Sequence, residues 1–259
     1  MRDILEEIAA NKRLEVEVLK SQLPITTLEQ EIGARGTNAF RNALAEPSAI
    51  HIIAEMKKGS PSRGLIAPDF DPAALADKYH QGGAAALSVL TENKYFYGRY
   101  EHIALAADLT ALPVLCKDFV VDPYQLYHAA YIGAAAVLLI VRLHSIESLR
   151  ELIGLAEHLG LDCLVETHNE EEVAVALEAG ATIIGVNNRN LSDFTVDLAV
   201  SEWLAPLIPD EVIKVSESGI FEAADIVRLR QADYTRFLIG EALVRAADPV
   251  RLLQTLRSA

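Results

Sequence analysis

Eight short apolar runs, begun at roughly 25-residue intervals and separated by amphipathic stretches, predict an α/β fold of the (β/α)8 TIM-barrel class with an N-terminal helical extension. The runs are IHIIAEM, AAALSVL, LPVLCK, AAVLLIV, DCLVE, TIIGVN, VIKVS and TRFLIG. Each is almost continuously apolar, as strands of a parallel sheet are when helices cover them. The second observation is the segments in between, such as DPAALADKYHQGG, SIESLRELIGLAEHLG and NEEEVAVALEAGA. They open on Asp, Ser or Asn and close on Gly, the residues that satisfy the two ends of a helix. The third is what the first strand lacks: a doubly wound open sheet advertises GxGxxG there, and no such motif occurs.

The first 47 residues do not follow the alternation. LEEIAANKRLEVEVLKSQL reads as one amphipathic helix, and LEQEIGARG and AFRNALA as two shorter ones. No low-complexity linker follows, so residues 1–47 are expected to form a helical extension packed on the barrel. Residues 48–259 are expected to form the catalytic barrel, the whole being a single domain. A barrel of this type uses about 250 residues, and the chain has 259.

Composition narrows the function classes. Asp+Glu 37 against Lys+Arg 23 leaves a formal charge of −14, which argues against a general nucleic-acid or anionic-membrane surface. The N-terminus has charges through its apolar positions and no signal-peptide core. The longest apolar run, AAAVLLIV, is far short of the roughly 18 residues of a membrane span. Two cysteines, Cys116 and Cys163, lie in apolar segments and read as small buried hydrophobes in a reducing compartment. A cytoplasmic protein is expected.

The active site of such a barrel lies at the C-terminal ends of its strands. In order, those ends carry Glu55 and Lys57, Thr91 and Glu92, Lys117 and Asp118, Glu166, Asn187 to Arg189, Ser216 to Gly219, and Gly240 with Glu241. Glu55 and Lys57 are two apart and share a strand face. Buried charges are costly unless paired, so several of them at one barrel end form either a closing ion-pair network or a catalytic set. SESG and GEAL put small residues and backbone amides after strands seven and eight, where many barrels hold a phosphate. Phe96 and its neighbours Tyr95 and Tyr97, together with Phe119, place aromatics on the same rim, which suits a flat apolar ligand. Among seven histidines only His168 falls near the mouth, and packing at a helix start is its expected role. No HxH or HExxH pair occurs, and no metal is expected. The cations of IAEMKKGSPSRG, namely Lys57, Lys58 and Arg63, thus point to an anionic, phosphorylated and partly aromatic ligand.

IAEMKKGSPSRG, LSVLTENKYFYG, PVLCKDFVVDPYQ, LVETHNEEE, IGVNNRNL, VSESGI and LIGEAL occur in the order found in the indole-3-glycerol phosphate synthase family, which the chain resembles over essentially its whole length. The resemblance implies a cytoplasmic enzyme of tryptophan biosynthesis that needs no cofactor or metal. It would convert 1-(2-carboxyphenylamino)-1-deoxyribulose 5-phosphate into indole-3-glycerol phosphate, carbon dioxide and water. It implies that Lys117 is the general acid on the ketone. Glu55, Lys57 and Glu166 would manage later proton transfers, Lys57 also facing the substrate carboxylate. Asn187, Arg189 and Ser60 would position the substrate, and Phe96 and Phe119 would wall its ring. Ser218, Gly219, Gly240 and Glu241 would hold the phosphate through backbone amides. Whether Lys57 or Lys117 protonates the leaving hydroxyl stays open. Gly59 stands where the family often has a larger residue, which implies a looser first loop. The partner expected is a small sugar phosphate, with no nucleic acid, no membrane and a monomeric state. A Schiff-base aldolase, a sugar-phosphate isomerase and a non-catalytic sugar-phosphate binder remain alternatives on the same scaffold.

Overall fold

Successive side chains of a strand point to opposite faces, and in the computed structural model of this chain, which describes residues 4–33 and 36–259, that alternation separates two apolar clusters. The strands are β1 (His51–Met56), β2 (Ala86–Leu90), β3 (Val114–Lys117), β4 (Ala136–Ile140), β5 (Asp162–Thr167), β6 (Ile183–Asn187), β7 (Ile213–Glu217) and β8 (Arg236–Ile239). All eight pair in parallel, in chain order, and β8 closes on β1 to make a barrel. Ile53, Leu115, Leu138, Leu164, Val215 and Leu238 fill the interior. Ile52, Ala54, Val114, Cys116, Val137, Val165, Ile184 and Phe237 face outward into the helical layer. Each predicted run therefore holds a strand.

Five of the covering helices lie where the patterns predict: α4 (Pro72–Gln81), α6 (Tyr124–Tyr131), α7 (Ile146–His158), α8 (Glu170–Glu178) and α10 (Ala223–Arg230). The others are α5 (Glu101–Leu109), α9 (Ala199–Leu204), α11 (Glu241–Arg245) and α12 (Pro249–Arg257). Three starts are capped by residues read from sequence, Asp71, Ser145 and Asn169, and Asp248 caps α12 in the same way, each accepting a backbone N–H of the first turn. Gly180 ends α8 with φ 92°, a left-handed turn that a side chain rarely adopts. Among the described residues no helix is long and apolar enough to cross a membrane.

Three helices precede β1: α1 (Ile4–Gln22), α2 (Ile25–Glu31) and α3 (Ala39–Ala43). The predicted LEQEIGARG helix is shifted, for α2 begins at Ile25 after Pro24, and Ala34 and Arg35 lie outside the described residues. Phe40 and Leu44 plug the N-terminal end of the barrel. The Asn38 side chain makes no capping bond to α3, and Asp162 at the start of β5 substitutes by accepting the Arg41 N–H at 3.0 Å.

At the opposite end α1 crosses the mouth. Its Lys12, 1% exposed, forms ion pairs with Glu15 at 2.7 Å and with Asp118 at 3.0 Å, and Tyr100 donates to Asp118 at 2.5 Å. Burial works against the charge of Lys12, but the two carboxylates outweigh it and raise its pKa. The position next to Lys117 is thus occupied by a buried cluster that ties the extension to β3. Removing one member of a buried pair strands the other. Lys12→Met is expected to lose about 3 kcal/mol of stability in urea unfolding, and Lys12→Met with Asp118→Asn to recover most of it.

Candidate active site

Parity along the strands decides what reaches the barrel mouth. Glu55 continues the inner row of Ile53, Lys117 that of Leu115, Glu166 that of Leu164, Asn187 that of Ile183, and Glu217 that of Val215. Apolar layers below them exclude water, so the charges must satisfy one another. Lys117 Nζ lies 2.8 Å from Glu217 Oε2 and 3.4 Å from Glu55 Oε2, and Lys57 Nζ lies 2.5 Å from Glu55 Oε1.

These contacts set the protonation states. Burial opposes the charge of Lys117, yet Glu217, Glu55 and Glu166 together raise its pKa well above the usual lysine range. Burial also opposes the charge of Glu55, but Lys57 and Lys117 hold its pKa down to about 2. Glu217 goes the other way: burial, only partly offset by Lys117, pushes it up to about 7. The result is a lysine kept as an acid beside one firmly ionised carboxylate and one poised near neutrality.

A cleft of about 570 Å³, including its open mouth, is lined by Glu55, Lys57, Phe96, Lys117, Phe119, Glu166, Asn187, Arg189 and Ser218. An adjoining hollow reaches Ser60, Arg189 and Glu241 and is roofed by Ile4, Leu5 and Ile8 of α1. The geometry therefore brings most of the expected residues together. Asn187 Oδ1 accepts the Arg189 N–H at 3.0 Å, and Arg189 donates to the Phe194 carbonyl at 3.2 Å, which bends the loop after β6 back over the mouth. The rings of Phe96 and Phe119 face each other at 6.0 Å between centroids. Their neighbours do not join them: Tyr95 donates to Glu7 of α1, and Tyr97 is partly exposed.

Ser218 (φ 67°) and Gly219 (φ 83°) both adopt left-handed backbone at the end of β7, a conformation costly for the serine. Asn188 holds that turn by donating to the Ser218 carbonyl and the Ser216 hydroxyl, both at 3.0 Å, so it supports the mouth without lining it. Glu241 turns its carboxylate to Arg245 at 3.0 Å, with Arg63 of the first loop 3.8 Å away. Gly240 abuts Glu55, whose Oε1 would lie 2.4 Å from an added Cβ.

Some sequence expectations need correction. Glu92, 1% exposed, accepts the backbone N–H groups of Lys94, Tyr95 and Phe96 and so shapes the loop after β2 without joining the charged set. Gly59 does not loosen the first loop, because the Tyr97 ring and the Gly64 carbonyl, each 2.6 Å from where a Cβ would sit, occupy its place. Lys58 supplies its carbonyl to the Ile66 and Ala67 amides, and its side chain lines neither cleft.

Glu217, counted at a strand end only as part of the SESG turn, is the residue whose place in the charged set sequence reasoning missed. The run VIKVS was expected to stop at Ser216, with SESG as a turn, whereas β7 continues to Glu217. The signal was its spacing of two from Val215. Its Oε1 has no hydrogen-bond partner and lies 2.1 Å from where a Cβ on Gly185 of β6 would be, so that glycine leaves room for the carboxylate. His168 does pack at a helix start as expected: its backbone N–H and ring Nδ1 both meet Glu172 Oε2, at 2.8 and 3.1 Å. Its Nε2 lies 3.4 Å from Glu166 Oε1.

Among solved structures the chain is similar to 3-hexulose-6-phosphate synthase from Salmonella typhimurium, with a TM-score of 0.67 at 13% identity, over 81% of this chain and 97% of that one. Thiamine phosphate pyrophosphorylase from Pyrococcus furiosus gives a TM-score of 0.62 at 18% identity, over 84% and 96%. At such identities the likeness is one of fold. Sequence relatives speak more directly. The indole-3-glycerol phosphate synthase of Carboxydothermus hydrogenoformans is 44% identical over 97% of this chain and 98% of its own. That of Ruminiclostridium cellulolyticum is also 44% identical, over 98% of each. The model of the family described as indole-3-glycerol phosphate synthase matches residues 5–256, from α1 to the last helix, and the chain belongs to that family.

Proposed function

We propose that the chain catalyses ring closure, decarboxylation and dehydration of 1-(2-carboxyphenylamino)-1-deoxyribulose 5-phosphate to indole-3-glycerol phosphate, in tryptophan biosynthesis. The observation that carries the reading is Lys117, held protonated at the floor of the cleft by Glu217 and Glu55. As the ring carbon bearing the carboxylate attacks the ketone, negative charge grows on the ketone oxygen. Lys117 donates a proton there, a contribution typically of about 10² to 10⁴ in rate. Loss of carbon dioxide restores the aromatic ring, and loss of water completes the indole. Glu55, Lys57 and Glu166 serve the later proton transfers, with Lys57 facing the substrate carboxylate.

Phe96 and Phe119 flank the aromatic ring, and Asn187, Arg189 and Ser60 position the chain of the sugar. Ser218, Gly219, Gly240 and Glu241 receive the phosphate on backbone amides. The turn of the Glu241 carboxylate toward Arg245 supports this, since it relieves repulsion of the phosphate. The reading includes a monomeric, cytoplasmic enzyme without a nucleic-acid partner, supported by the charge of −14. It also takes residues 1–47 as part of one domain with the barrel, supported by the Lys12–Asp118 pair.

Purified protein given the carboxyphenylamino deoxyribulose phosphate in buffer with a metal chelator is expected to yield steadily growing indole fluorescence. No fluorescence from folded protein would overturn the reading. Borohydride trapping with a keto sugar phosphate would then test the Schiff-base alternative.

A further inference from the structure

The reaction proposed above has a proton balance that its buried site must meet. A substrate carboxylate leaves as neutral carbon dioxide and the ring carbon gains no charge, so each turnover takes up one proton from solvent. In detail, two protons are given, one to the ketone oxygen and one to the departing hydroxyl, and one is taken from carbon as the indole forms. The carboxylates that trade these protons are nearly sealed, Glu55 being 2% exposed and Glu166 3%. A route is needed between them and water.

His168 stands where such a route would run. Its ring lies between two carboxylates, with Nε2 3.4 Å from Glu166 Oε1 and Nδ1 3.1 Å from Glu172 Oε2. Nε2 is buried without a hydrogen-bond partner, so packing at the helix start leaves one nitrogen unused beside the active-site carboxylate. On the far side Glu172 and His168 line a second cavity of about 870 Å³, including its open mouth, shared with Arg142, Asn169 and Asn190. Glu166 belongs to the catalytic cleft and not to that cavity. Asn187, Arg189 and Leu191 border both spaces, and the imidazole joins a carboxylate of the cleft, Glu166, to a carboxylate of the cavity, Glu172.

We propose that Glu172 and His168 form a proton conduit from this second cavity to Glu166, resting on the functional reading above. A proton from water is taken by the Glu172 carboxylate and passes to Nδ1, while Nε2 gives its own proton to Glu166 Oε1. The starting tautomer is restored by exchange with water in the second cavity, Nε2 taking one proton as Nδ1 gives one up, with no net change in protons. Each step breaks one bond to hydrogen and forms another, and no other reactant is needed. The 3.4 Å contact becomes a hydrogen bond once the ring reorients toward Glu166, as apo catalytic contacts commonly do.

The groups around the ring suit the task. Burial disfavours the imidazolium, but Glu172, Glu166 and the more distant Glu217 outweigh it and raise the His168 pKa. The cations bordering the cavity are Arg142 after β4 and Arg189 after β6. Glu172 is held by the Asn169 amide at 3.1 Å on Oε1 and by the His168 N–H on Oε2, so it is fixed in place to deliver the proton.

The test begins with indole formation by the unaltered enzyme, whose failure would overturn the functional reading itself. With that activity in hand, His168→Ala is expected to lower kcat by about 10², the lower end for a positioned proton-transfer group, with KM nearly unchanged. Added imidazole, small enough for the cavity, restores the rate with saturation. Glu172→Gln keeps the hydrogen-bond geometry but cannot carry the proton. Its kcat is expected to fall similarly and to become dependent on buffer concentration. Normal kcat in folded Glu172→Gln would overturn the conduit. So would a loss in His168→Ala that imidazole does not restore and that follows a lowered Tm, which would leave His168 as a packing residue.

Discussion

Replacing Lys117 with methionine is expected to lower turnover by about 10³ or more while the barrel stays folded. Methionine keeps most of the apolar stem and removes the acid. The ketone oxygen would then develop its charge facing Glu55 and Glu217 with no proton to receive. Folding should survive because the carboxylates left behind can adjust: Glu217, already pushed up to about 7 by burial, takes a proton when its cation is gone, and Glu55 keeps Lys57 at 2.5 Å. Exchanging a buried charge for an apolar side chain of similar volume is often close to neutral when the partners can neutralise. Indole fluorescence measures the loss and circular dichroism the fold. Near-normal turnover in a folded variant would refute the role of Lys117.

Glu217→Gln is expected to lower kcat by about 10² at neutral pH and to change how stability depends on pH. The activity falls because Lys117 loses its nearer carboxylate, 2.8 Å away, and with it part of what holds the proton ready. The stability effect has the opposite sign to that of an ordinary ion-paired glutamate. In the folded chain burial raises the Glu217 pKa from 4.5 to about 7, so the native state keeps a proton that the unfolded chain releases. Between these values stability falls as pH rises. Glutamine cannot titrate and lacks this slope. The Tm of the variant should therefore gain on that of the parent from pH 5 to pH 8. A constant Tm difference across that range would show that Glu217 ionises normally in the folded state.

Gly185 bears on both results. With a Cβ there only 2.1 Å from Glu217 Oε1, an alanine would displace the carboxylate. The glycine in TIIGVN thus serves a partner 32 positions later in sequence, Glu217. Local preference could not reveal that, because strand patterning favours a β-branched residue there.

The sequence by itself determined the barrel, because each of the eight strands is a mostly apolar run and several of the helices between them carry their own caps, signals confined to a few neighbouring residues. It also placed Glu55, Lys57, Lys117, Glu166 and Asn187 at strand ends, and period-two alternation put Glu55 and Lys57 on one face. Only the tertiary structure decided which charges touch. That Lys117 meets Glu217 and not Asp118, its neighbour in sequence, follows from strand parity: Asp118 is drawn outward to Lys12 of α1, while Glu217 comes inward from β7. The roles of Glu92 and Gly59 were likewise fixed by distant or converging contacts, namely three backbone amides and the Tyr97 ring. Burial supplies the physical reason. It raises or lowers a pKa by what surrounds the group in space, and chain order carries no record of that surrounding.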